Sequence, residues 1–494
     1  MKKSDSPLPC SPLELPVFNC SNLCSGFIHW LTPWKMSIIF VTNPKEPNED
    51  VKEETTLLVG ESVESSRERI TLSTCISDTS TSGMAILGGP LQASSGPKVS
   101  DVLELCIYLR DQTVIPLKVN NGQQAQTEDL FRIVQEEQKL PPEAANVFSL
   151  WLVSPSLELR LKKNHRPYYL VQQWQELCKL YTDQKAEYKL RDTPLLMLQR
   201  NVFYSKEEEM KLNDETTLSL LYHEAQYNVL EGRYVVDKLD YDELAAIQFI
   251  IEEGNLIGVK GLTQNQRHNL ERFYPEFLCK RRWQIPGLKN SSRNDIEVRF
   301  EEAVVRISQA LPEQYSKVSL YKMYLQLLWN TPFYGSAYFS AVVDRPTSKL
   351  QMVFGVHSMH VWVCINTEGV CIIEKDKDFV DLAVPFTEMS WHFHDDLEDE
   401  KLPSLFIQFL VKDGEETVTK LLEINSRQAK LMNALIDSMV KRKRQQQHVH
   451  RPRRYSEQSY DSVDGAISST FNKSLNKLKR LSLDTYTVAG ERLS

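Results

Sequence analysis

From residue 103 the chain alternates apolar and polar positions, Leu103, Leu105, Ile107 and Leu109 against Glu104, Cys106, Tyr108 and Arg110. That is the period of a half-buried strand. After a polar corner at Asp111 and Gln112 the alternation resumes at Ile115, Leu117 and Val119, which predicts a hairpin. Thr127 is then expected to cap a helix with Glu128 and Asp129 in its first turn, where the helix dipole favours carboxylates, and Leu130, Ile133 and Val134 on its buried stripe. Strands are expected in NVFSLWLV and LELRLK, then a helix with Leu170, Trp174, Leu177 and Tyr181 on one face, and a closing strand in PLLMLQRNVF. Over residues 100–205 this is a ubiquitin-like order.

The period then changes. Over 206–330 the apolar positions recur at helical spacing: Leu218, Leu221, Tyr222, Ala225 and Val229 behind an Asp214 cap and before Gly232, then Leu244, Ile247 and Ile251 up to Gly254. Two more stripes run through Ile296, Phe300, Val304 and Ile307, and through Leu320, Met323, Tyr324 and Leu327, predicting a helix bundle. Over 331–440 short strand-like runs return, FYGSAYFSAVV, HVWVCIN, GVCIIE, VDLAVPF, EMSWHF, SLFIQFLV and TKLLEI, separated by turns. A helix capped by Ser426, with Met432, Leu435, Ile436 and Met439 on one face, closes the unit. Strands followed by one capping helix form the layout of a pleckstrin-homology or phosphotyrosine-binding (PH/PTB) fold.

Composition adds the flanks. Residues 1–99 are rich in Ser, Thr, Pro and Glu, and 441–494 begin basic and continue Ser-rich, so both are expected to be disordered for want of apolar area to offset ordering entropy. The net charge of −8 argues against general nucleic-acid binding, so attraction to anionic partners must be local. Its source is the run Lys441, Arg442, Lys443, Arg444, Arg451, Arg453 and Arg454. Nine scattered cysteines without a CxxC pair point to a reducing compartment. The early apolar stretch GFIHWLTPWKMSIIFV is interrupted by His29, Pro33 and Lys35, too short a run for a spanning helix and without a cleavage signature.

Candidate chemistry is sparse. If Asn366 to Gly369 is a turn, Cys364 stands opposite Cys371, at a separation that would strain a disulfide, so the pair is read as reduced packing residues. Trp362, Cys364, Cys371 and Ile373 make the outer face of that hairpin apolar, which implies a cover from another lobe. His392 and His394 with Asp395 and Asp396 lack a third ligand at motif spacing and are read as a solvated strand end. HEAQY has Tyr227 where a zinc-protease helix needs its second His, and no phosphate loop, dinucleotide fingerprint or nucleophile elbow occurs. No catalytic residue, metal or cofactor is expected.

The order of the three units resembles the FERM module of membrane-cytoskeleton adaptors. NVFSLWLVSPSLELRLKKNHRPYYL, RNVFYSKEEE, TPFYGSAYFSAVVDRP and KLLEINSRQAKLMNALI resemble, more narrowly, its iRhom-tail-associated branch. The resemblance implies an α+β, three-lobed module: a ubiquitin-like lobe, a helical lobe like acyl-CoA-binding protein, and a PH/PTB-like β-barrel with a C-terminal helix. It implies a non-catalytic, cytoplasmic adaptor, peripheral at the inner face of the plasma membrane. Its partners would be iRhom cytoplasmic tails with the associated sheddase, the Wnt co-receptor tail and an anionic membrane surface. The runner-up is a phosphoinositide-directed membrane-cytoskeleton linker, although the tail has no recognisable actin-binding helix. In such a barrel the peptide groove lies between the fifth strand and the closing helix, which selects Ser390, Trp391, His392, Phe393, Gln428, Met432 and Leu435. Ser456 and Ser482 follow basic residues, as basophilic kinases prefer, and phosphate there would oppose membrane attraction.

Overall fold

The computed structural model describes residues 102–183, 192–254, 263, 269–279, 292–345, 358–375, 379–395, 402–413, 416–449, 481–487 and 491–493. The arm expected at 1–99 lies outside them. β1 (Val102–Tyr108) and β2 (Val114–Asn120) form the expected hairpin, with Leu105 opposite Leu117 and Ile107 opposite Ile115. Asp111 sets the turn by accepting the Thr113 N–H at 3.0 Å. α1 (Thr127–Glu137) starts one residue earlier than expected, with Gln126 at the N-cap. The Thr127 hydroxyl instead donates to the His165 carbonyl at 3.0 Å, and the Asp129 carboxylate accepts the Gln126 N–H at 3.3 Å.

α2 (Ala144–Val147) leads into β3 (Phe148–Val153), buried along its whole length, and β4 (Glu158–Arg160) is shorter than the alternation of LELRLK predicts. There the chain turns: the Lys162 N–H donates to His165 Nδ1 rather than continuing the ladder. The single helix expected through 170–181 is two, α3 (Pro167–Gln172) and α4 (Trp174–Tyr181), broken at Gln173 with ψ near 6°. Trp174 lies buried just past the break, its Nε1 3.4 Å from the Asp192 carboxylate. β5 (Leu195–Arg200) runs parallel to β1 and antiparallel to β3, giving the ubiquitin-like order β2-β1-β5-β3-β4.

The second lobe is helical: α5 (Lys206–Glu209), α6 (Glu215–Leu230), α7 (Lys238–Glu253), α8 (Glu276–Cys279), α9 (Ser292–Ala310) and α10 (Lys317–Trp329). Asp214 caps α6 as expected, accepting the Thr217 N–H at 2.8 Å. Gly232 and Gly254 end α6 and α7 with φ of 70° and 92°, a conformation that favours glycine. Buried rings hold the helices together, Tyr222 against Tyr324 and Tyr321, and Phe249, Phe273 and Phe300 against one another.

The third lobe is β6 (Ala337–Asp344), β7 (Ser358–Ile365), β8 (Gly369–Glu374), β9 (Phe379–Pro385), β10 (Met389–His394), β11 (Ser404–Asp413), β12 (Glu416–Asn425) and α11 (Ala429–Val449). The strand order is β10-β11-β12-β6-β7-β8-β9, with β12 meeting β6 only at Asn425 and Val342. The sheet therefore folds over at that corner and leaves a seam. Cys364 and Cys371 do stand opposite each other, both buried and neither in a disulfide. Their outer face lies under the second lobe: the Tyr338 hydroxyl donates to the Arg233 carbonyl at 3.2 Å, and the Arg233 guanidinium sits 5.8 Å from the Trp362 ring.

The expectation of disorder over 441–494 is corrected at both ends. α11 continues to Val449, because nothing between Lys441 and His448 breaks a helix. Near the C-terminus β13 (Asp484–Tyr486) pairs with β12, and β14 (Arg492–Leu493) turns back onto β13. Arg451, Arg453, Arg454 and Ser456 lie outside the described residues.

Candidate peptide-docking site

β10 is the last strand of its sheet. All six of its residues pair with β11, and among the described residues no second strand is laddered to it. Its side chains alternate: Trp391 and Phe393 are half-buried, while Ser390, His392 and His394 are exposed. The alternation follows from strand geometry, one face turned to α11 and the barrel core and the other to solvent. α11 packs beside β10 and β11, and the Trp391 Nε1–H donates to Asn433 Oδ1 at 3.1 Å. The result is an open strand edge flanked by a helix and a half-sunk indole.

The helix residues expected in the groove sit deeper. Met432 and Leu435 are core residues, at 0% and 7% exposure. Gln428 is buried, and its Oε1 accepts the Ser340 N–H at 3.1 Å, tying the helix start to β6. The side of α11 that faces β10 carries Asn433, which the apolar stripe did not select. A helical turn further on, Asp437 is half-buried and paired with Lys441 at 2.8 Å. The stripe finds what a helix buries; a groove wall is the flank of that stripe, and a half-buried polar side chain is its mark.

The basic run begins on the exposed last turns of α11. Arg442 stacks its guanidinium 4.1 Å above the Phe203 ring, so it packs against the first lobe instead of standing free. Burial, with Arg442's charge added, lowers Arg160 beside it to about 10. Arg444 is exposed and Lys443 half-exposed. His392 and His394 form no metal set, and among the described residues no cluster of three or more His, Cys, Asp or Glu is arranged to hold a metal.

A buried polar junction fixes the third lobe against the other two. Arg200, at the end of β5, pairs through Nε with Glu209 Oε2 at 2.7 Å, and both side chains are almost fully buried. The same carboxylate accepts the Trp329 indole N–H at 2.9 Å and the Tyr334 hydroxyl, so its charge is satisfied from three elements. Arg200 also donates to the Tyr204 carbonyl at 2.7 Å and the Gly335 carbonyl at 3.4 Å. A side chain at Gly335 would collide with that guanidinium, and φ of 67° there favours glycine independently. Arg233 meets Glu158 at 2.6 Å across the first two lobes, and Lys206 reaches the Thr331 carbonyl and Glu368. Glu224 accepts the Arg200 backbone N–H at 2.6 Å; burial raises its carboxyl to about 7, against the pull of that N–H and of Arg110.

Residues 207–339 match the FERM central domain family, and residues 359–435 match the KRIT1/FRMD8 FERM domain C-lobe family. The chain is 35% identical over 370 residues to FERM domain-containing protein 8 of Homo sapiens, covering 73% of this chain and 79% of that protein. To the Xenopus tropicalis protein of the same name it is 34% identical over 357 residues, covering 70% and 77%. Among solved structures, the human Myosin 7b C-terminal MyTH4-FERM domain in complex with harmonin-a PDZ3 domain has a TM-score of 0.46 at 14% identity, covering 69% of this chain and 60% of that one. The FERM and C-terminal domain complex of Drosophila Merlin has a TM-score of 0.43 at 14% identity, covering 69% and 97%.

Proposed function

The chain belongs to the FERM domain-containing protein 8 family, a premise that makes it a membrane-associated, protein-binding adaptor, and we propose that its third lobe docks the cytoplasmic tails of membrane proteins without catalysing a reaction. The tail we assign first is that of an iRhom pseudoprotease, held with its sheddase at the cell surface; the second is the Wnt co-receptor tail, whose capture would dampen Wnt signalling. The carrying observation is the open outer edge of β10 beside α11, with Trp391 bridged to Asn433. An extended peptide can add as a strand there, its backbone completing the ladder and its side chains meeting the indole, His392 and the Asp437–Lys441 pair. The proposed groove comprises Ser390, Trp391, His392 and Phe393 on the strand and Asn433 on the helix, with Gln428, Met432 and Leu435 holding the helix in place.

The exposed side chains of Lys441 and Arg444, with half-exposed Lys443 between them, favour one accessory reading, in which the module also rests on an anionic leaflet. That contact would place the cytoplasmic module at the inner face of the plasma membrane, where such tails emerge. Pulldown by an immobilised iRhom cytoplasmic tail tests the first reading, and co-sedimentation with phosphoinositide vesicles or filamentous actin tests the linker alternative. Retention on vesicles or filaments with no retention on the tail would reverse the assignment.

A further inference from the structure

The seam between β12 and β6 is closed by the chain's own C-terminus. β6 leaves β12 after the Asn425–Val342 pair, and β13 takes the vacated edge, with Thr419 opposite Tyr486, Lys420 opposite Thr485 and Leu421 opposite Asp484. Leu481, just before that strand, is 3% exposed and sits in the core, while the next backbone N–H, that of Ser482, donates to the Asp344 carbonyl at 3.0 Å. Lys420 Nζ donates to the Thr485 hydroxyl at 2.7 Å, and Arg492 on β14 pairs with Asp484 at 2.6 Å. Ser482 itself is exposed.

We propose that Ser482 is a phosphorylation site that controls whether this strand stays clipped to the third lobe. The inference is independent of which tail the β10 edge takes. Three features of the chain converge on it. Lys477, Lys479 and Arg480 precede the serine, the context a basophilic kinase selects. The clip is short, three ladder pairs and one buried leucine, so it belongs to the low-stability end of the fold and opens often enough for an enzyme to reach it. Acidic residues flank the serine: the Asp344 carbonyl accepts the Ser482 N–H, and Asp484 follows two residues on.

The kinase would transfer the γ-phosphoryl group of ATP to Ser482 Oγ, with ADP leaving and the hydroxyl proton passing to the kinase's base. The phosphate brings a charge of about −1.5 to −2. Beside Asp344 and Asp484 it opposes re-docking, because a phosphate next to acidic residues disrupts by like-charge repulsion. The nearby cations are already engaged, Lys420 with Thr485, Arg345 with Glu374 and Arg492 with Asp484. Release would uncover the backbone edge of Thr419–Leu421 and the pocket of Leu481, a second edge at which an extended segment can add.

The test uses the full chain with phosphoserine encoded at position 482, compared with the unmodified chain by hydrogen exchange and mass spectrometry. Exchange at 417–423 and 484–486 should quicken at least tenfold while the β7–β8 hairpin is unchanged, and Leu481→Asp should reproduce that pattern without phosphate. Unchanged protection in the phosphoserine chain overturns the proposal, as does increased protection, which would mean that Arg492 had turned to bind the phosphate. Unchanged exchange in Leu481→Asp would show that the strand is not clipped by that leucine, and overturns it too. A basophilic kinase with ATP should place phosphate on Ser482 of the full chain; its absence there overturns the assignment of the site.

Discussion

Trp391 is the residue on which the docking reading turns. It is half-buried and hydrogen-bonded to Asn433, so it is held in one orientation with part of its ring toward solvent. Trp391→Ala should weaken tail binding at least tenfold, the loss of about 2 kcal/mol expected of an aromatic anchor, while the melting temperature of the lobe changes little by comparison. Titration calorimetry and thermal unfolding on the same variant check both halves. Glu224 gives a pH signature. Its folded-state value, about 7, lies above the ordinary carboxylate range, so the native chain holds an extra proton between the two. Its contribution to stability is therefore full below that range and is lost as pH rises through about 7. Glu224→Gln should match the unsubstituted protein near pH 5 and melt higher near pH 8; equal melting curves at both would contradict the burial argument. At this scale the sequence spoke through alternation: Trp391 and Phe393 were legible as one face of a strand. Asn433 was not, because a polar residue on a helix flank looks the same whether it meets solvent or an indole.

Among the elements, strands with one wet face were the most legible. β1, β2 and β10 could be read from their period of two, and Gly232 and Gly254 marked helix ends because φ there is positive. The break between α3 and α4 was hidden: Leu170, Trp174, Leu177 and Tyr181 keep helical spacing across Gln173, and only tertiary burial of Trp174 shows that the chain bends. The length of α11 was hidden for the opposite reason. A run of Lys, Arg and Gln reads as solvated tail, yet these are good helix formers once a helix is already nucleated. The accessory membrane contact belongs to that element. Replacing Lys443 and Arg444 together by Gln should cost roughly 1 kcal/mol each in binding to anionic vesicles and leave binding to neutral vesicles unchanged. Equal partitioning of both proteins into anionic vesicles would remove the contact from the account.

For the whole molecule, the decisive interactions join residues that no local pattern relates. Arg200, Glu209, Trp329, Tyr334 and Gly335 come from three parts of the chain and meet in one buried cluster. A lone Arg in LLMLQR gives no hint that it will be buried and paired. Glu209→Ala should destabilise the module by about 3 to 5 kcal/mol, because it leaves the Arg200 guanidinium buried without its counter-charge. Chemical denaturation of the full chain measures this; a loss below about 1 kcal/mol would mean that water reaches the junction. The rigid seating of three lobes is what lets a strand edge on one of them act as a preformed surface. The most direct test of that surface is a crosslinking map of the full chain with an iRhom cytoplasmic tail. Crosslinks clustered on 389–394 and 433–444, and lost in Trp391→Ala, are the predicted result; crosslinks confined to the first two lobes, or none at saturating tail, would contradict it.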